Sequence, residues 1–160
     1  MRNQTNEKLS RVKLLLVPLQ AASDSNLVDA LAEAVLLELG LAYRCFLSEL
    51  AEAHGLAPQP LSSATELSAA LAAQQTFVAE VAELTNLECD RSWPHVLLIA
   101  THARSHTATG AVSAKDKKNL INVLQLDEIV NNNLSYSNCF EIYQALRTCV
   151  QHQRDMAQEW

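Results

Sequence analysis

The chain has 160 residues, of which 49% are apolar, 19% charged and only 5% aromatic. Three Gly and four Pro fall well short of the roughly 12% usual for the pair, and with the ordinary apolar content this composition excludes collagen-like, disordered and disulfide-scaffold classes. The net charge of −6 argues against a dedicated binder of nucleic acid or anionic membranes.

Leu (26) and Ala (23) together make up nearly a third of the chain. Both are strong helix formers, so composition alone points to an all-α fold. Charge is unevenly placed. Residues 1–13 carry four bases and one acid, residues 14–90 carry eleven acids and one base, and residues 91–160 carry seven bases and six acids. The acidic middle serves solubility or faces a basic partner. Cys45, Cys89, Cys139 and Cys149 show no C-x-x-C spacing. Cys139 and Cys149 are about 15 Å apart along one predicted helix, too far for a disulfide. Reduced thiols in a cytoplasmic protein are therefore expected. No uncharged apolar run is long enough for a membrane span. The six-residue run Leu14–Leu19 is short for a signal sequence and contains Pro18, so a retained first helix is expected.

The first helix is predicted to start near Thr5, whose hydroxyl can cap it. Leu9, Val12, Leu16 and Leu19 form its apolar stripe, and Pro18 should kink it or end it early. Ser23, Asp24 or Ser25 caps the second helix, from about Asn26 to His54. There Leu27, Leu31, Val35, Leu39, Ala42, Phe46 and Leu50 recur at helical spacing, and Leu36, Leu37, Leu41, Tyr43 and Leu47 widen the stripe. Such width marks a central helix. Glu38 is either exposed on a narrow polar strip with Asp29, Glu33 and Glu49 or buried and paired, with Arg44 and Lys13 as candidate partners; partial exposure is expected. Gly40 suggests a close crossing and Gly55 a stop. Pro58 and Pro60 stiffen the connector that follows.

Ser63-Ala64-Thr65-Glu66 reads as a capping box for a third helix with Leu67, Leu71, Val78, Val81 and Leu84, breaking near Gln74-Gln75-Thr76. The Ala-rich stretch 69–73 would let a neighbour approach. Ser92-Trp93-Pro94 opens the next helix, centred on Val96 to Ile99. Residues 104–118 read as a polar exit and loop, and residues 116–130 as another helix, punctuated by Asn131-Asn132-Asn133. A last helix, opened by a box at Asn138–Glu141, presents Phe140, Tyr143, Leu146, Val150 and Met156. The expected architecture is one domain over residues 1–160, an all-α up-and-down bundle of five or six helices.

Two constellations could carry chemistry. His95, His102 and His106 are spaced by seven and four, which places them within about 40° on one helix face. His-x-x-x-His is a zinc spacing, but no Glu follows the first His as a metalloprotease requires, and surface histidines give the same pattern. Arg147 and His152 form R-x4-H on the last helix. That pair resembles the motif of HEPN helical ribonucleases, which implies a metal-independent nuclease with Arg on the phosphate and His moving a proton. Seven Arg and five His yield about 0.7 such matches by chance at ordinary composition, and the negative charge suits RNA poorly. No nucleotide-binding loop or nucleophile motif occurs, so no cofactor is expected. Cys45, beside Phe46, reads as a buried structural thiol.

Thr5-Asn6-Glu7-Lys8-Leu9 at one end, and Gln153-Arg154 with Gln158-Glu159-Trp160 at the other, resemble a small family of uncharacterised bacterial helical proteins. Its members open with a T-N-x-K-L element and close with a Q-R-rich stretch and a final aromatic. The resemblance implies a bacterial, single-domain, all-helical protein and carries over no activity, cofactor or site residue. The function this reading favours is non-enzymatic: contact with a protein partner or self-association as a homo-oligomer. The alternatives are the ribonuclease at Arg147 and His152 and a metal site at His95, His102 and His106.

Overall fold

A computed structural model describes residues 2–90, 92–99 and 135–156. Among these residues all regular structure is helical. The helices are α1 (Arg2–Ala21), α2 (Ser25–Ala53), α3 (Ala64–Ala73), α4 (Ala79–Cys89), α5 (residues 93–99) and α6 (Tyr136–Met156). The fold class is the expected helical bundle.

The first helix buries Leu9, Val12, Leu16 and Leu19 as its spacing requires. It begins ahead of Thr5, so Thr5 is no cap; its side chain is buried one turn before Leu9. Pro18 does not end the helix, which runs on to Ala21. The position explains this. Pro18 lies in the last turn and forfeits only the bond to the Leu14 carbonyl. Leu14 (72% exposed) and Pro18 both face outward, where water can take that carbonyl.

Asp24 caps α2, its Oδ1 accepting from the Leu27 N–H at 3.0 Å. Of the predicted stripe, Val35, Leu39, Ala42, Phe46 and Leu50 are buried, and so are Leu36, Tyr43 and Leu47. The helix is central, touched by α1, α3 and α6. Leu27, Leu37 and Leu41 are instead exposed. Gly55 stops the helix with φ +75, a left-handed value that favours glycine.

Leu56 and Leu61 anchor the proline-rich connector in the core. At α3, Ser63 Oγ accepts from the Glu66 N–H at 3.2 Å, as a capping box demands. The return bond differs by one residue, because the Glu66 carboxylate accepts from the N–H of Ser62 at 2.7 Å. The break at Gln74–Thr76 is real, with Gln75 at φ 56 between α3 and α4. In α3, Ala69, Ala72 and Ala73 face outward. Pro94 sits in the first turn of α5, whose Val96 and Leu97 are buried. The cap of α6 is Ser135, its Oγ accepting from the Asn138 N–H at 3.2 Å, so the helix starts earlier than a box at Asn138 would place it. Cys139, Ile142, Tyr143, Leu146 and Val150 form its buried face.

These buried residues form one continuous cluster reaching every described helix. The pairings described next set α1 antiparallel to α2 and to α6.

Candidate functional site

Two buried carboxylates organise the polar side of the bundle. Glu49, on α2, is 9% exposed and faces α1 and α6 at once. Its Oε2 accepts from the Thr5 hydroxyl at 3.1 Å and from Arg154 Nη2 at 2.8 Å, and its Oε1 accepts from Arg154 Nε at 2.7 Å. The same guanidinium donates through Nη1 to Asn6 Oδ1 at 2.7 Å. The planar fork of arginine suits this two-point contact. A buried charge needs such pairing, since an unpaired one is costly. Thr5 and Asn6 near one end of the chain and Arg154 near the other are therefore the two sides of one clamp on Glu49.

Glu88, on α4, is the second. Its Oε1 accepts from the Tyr43 hydroxyl at 2.8 Å and the Ala64 N–H at 2.6 Å. Its Oε2 accepts from the N–H and hydroxyl of Thr65, both at 3.1 Å. The free N–H groups opening α3 thus receive a carboxylate from another helix, where the helix dipole also favours negative charge. Burial, with Glu88 adding to it, pushes the Tyr43 phenol far above its ordinary value, so Tyr43 acts as a neutral donor. Its ring meets Trp93 edge-on, with centroids 5.6 Å apart, an arrangement aromatic pairs favour.

Glu38 is part-buried, as expected of it, but its partners are others. Lys8 Nζ stands 3.3 Å from Oε2 and Arg11 Nη1 stands 4.0 Å from Oε1. Oε2 accepts no hydrogen bond among the described residues, so the Lys8 pairing is electrostatic. Glu49 does not share an exposed strip with Glu38: it is buried, and Arg154 and Thr5 fill the place solvent would take.

Among the described residues two grooves flank α6. One, of about 280 Å³, lies between α1 and α6 and is lined by Asn6, Ser10, Lys13, Arg147, Gln151 and Arg154 over Leu9, Tyr143 and Val150. The other, of about 410 Å³, lies between α4 and α6 against Trp93, with Leu84, Leu87, Cys149 and His152 in its wall and Glu80 and Glu83 on its rim. Arg147 lines the first groove and His152 the second. Five residues apart on a helix, they differ by about 140° in direction, and the structure does not bring them together. His95 is half-buried on α5, while His102 and His106 lie outside the described residues.

All four cysteines are free. Burial pushes the Cys139 and Cys149 thiols up to about 11, with the charge of Glu83 contributing at Cys149. Cys45 is only half-buried rather than buried, and desolvation still raises it. These three shifts run opposite to the depressed value of a nucleophilic thiol.

Sequence reasoning missed both organising carboxylates. Each depends on a partner far along the chain, Arg154 for Glu49 and Tyr43 with the α3 terminus for Glu88. The signal that was present lay in the terminal motifs, whose Thr5, Asn6 and Arg154 converge on one site.

Comparison with known proteins agrees with the resemblance read from those termini. No curated protein and no solved structure matches the chain. One family model does, over residues 1–160. The chain accordingly belongs to the family of unknown function DUF6586.

Proposed function

We propose that the chain is a non-enzymatic helical module that works by protein–protein contact, and that the contact surface is the outer flank of the α1–α2 hairpin near its turn. The supporting observation is the exposure of Leu14 (72%), Val17 (67%) and Leu27 (50%) within about two helical turns of that connection. Large apolar side chains exposed near one connection favour a partner, because covering them removes apolar surface from water. A second copy of the chain is the occupant the reading commits to first. A cytoplasmic location goes with it, supported by the four free thiols. No described helix is long and apolar enough to cross a membrane.

Sedimentation velocity over a hundredfold range of concentration tests this. The expected result is a mass that rises with concentration, and that Leu14→Gln with Val17→Gln returns to the monomer value. A monomer at every concentration, or association that the double variant leaves intact, overturns the self-association reading.

A further inference from the structure

The groove between α1 and α6 has a chemistry unlike the rest of this acidic chain. Among the described residues Lys13, Arg147 and Arg154 line it, and no carboxylate does. Arg154 is already committed to Glu49. Among the described residues neither Lys13 nor Arg147 makes an ion pair. Two like charges on the facing flanks of a concave site raise the local potential, and an anion between them lowers it.

The neutral groups fit the same ligand. Arg154 can only donate, so its bond to Asn6 Oδ1 fixes the amide and leaves the NH₂ end of Asn6 as a donor. Gln151 gives one N–H to Asp155 at 2.7 Å and keeps the other. Ser10 adds a hydroxyl. Tyr143 is more than nine-tenths buried and lines the groove, and its hydroxyl makes no hydrogen bond among the described residues. Leu9 and Val150 supply apolar floor. The volume suits a small molecule, at the low end of ligand sites.

We propose that this groove binds a phosphate group, free or as a small phosphate monoester, with Lys13 and Arg147 carrying the charge and Asn6, Ser10, Gln151 and Tyr143 donating hydrogen bonds. Arginine and lysine are the residues phosphate recognition calls for.

The test is a titration of the full chain with inorganic phosphate, and separately with glycerol phosphate, at constant ionic strength, read by amide NMR shifts and by thermal melting. Saturable shifts confined to residues 6–13 and 143–154 are expected, with a melting temperature that rises along the same curve. Lys13→Gln with Arg147→Gln, both at exposed positions, should weaken binding by about tenfold or more while leaving the melting temperature without phosphate nearly unchanged. Tighter binding of the ester assigns the site to a phosphate monoester, and equal binding assigns it to free phosphate. Shifts that fail to saturate, an equal response to added chloride, or unchanged affinity in the double variant overturns the proposal.

Discussion

Glu49 and Arg154, 105 residues apart in sequence, meet through two parallel contacts of 2.7 and 2.8 Å. Around that pair α1, α2 and α6 are drawn to one point, because Thr5 and Asn6 complete it from α1. Removing one partner should cost far more than removing both.

Arg154→Ala strands a carboxylate whose side chain is 10% exposed. A destabilisation of about 3 kcal/mol is expected in urea unfolding. Combining it with Glu49→Leu should recover a large part of that loss, since an apolar pair avoids the desolvation of both charges. A double-mutant cycle measures the coupling, and strictly additive losses would show that the two residues do not act as a pair.

Glu88→Ala leaves the Tyr43 hydroxyl and the opening N–H groups of α3 without their acceptor. The expected loss is about 3 kcal/mol, from several buried donors at once. Tyr43→Phe removes one donor from a carboxylate that retains Ala64 and Thr65, and should cost only about 1 kcal/mol. Equilibrium unfolding of the two variants checks the ranking.

Cys139 and Cys149 stay protonated in the fold up to about 11, against an ordinary thiol value of 9.0. Above pH 9 the unfolded chain releases these protons while the folded chain holds them, so the unfolded state binds fewer and stability falls with pH. The contribution of the two thiols is intact below pH 9 and is lost between about pH 9 and 11. Replacing both by Ala should flatten that part of the stability profile. At pH 8 a thiol reagent should label exposed Cys89 first and buried Cys139 last, which timed labelling and peptide mapping would show.

Asp24→Ala removes the cap on α2. A loss of about 1 kcal/mol is expected, read as a lower melting temperature with the fold retained. Asp24→Asn should restore most of it, because the amide oxygen accepts the same N–H.

Much of the frame was legible because it is local. Asp24, Ser63, Gly55 and Pro94 act within four residues of themselves, and the leucines of α1 and α2 repeat at the spacing their burial requires. What escaped was set by distance along the chain. Glu38 and Glu49 are eleven residues apart, about 20° on a helical wheel, so periodicity assigns both to one polar strip. The structure separates them by what lies opposite: Lys8 and Arg11 at one level, Thr5 and Arg154 at the other. Pro18 misled for a related reason, since the cost of a proline depends on whether the orphaned carbonyl can reach water. Likewise Arg147 and His152 share a helix and a spacing, yet the packing of α1 on one flank and α4 on the other sends them into different grooves.

The clamp also sets an order of events during synthesis. A ribosome delivers Arg154 more than a hundred residues after Glu49, so the nascent α1–α2 hairpin emerges with its acid unneutralised and must keep that spot hydrated. Docking of α6 expels this water and joins early chain to late chain in one long-range contact, which makes the seam a late step of maturation.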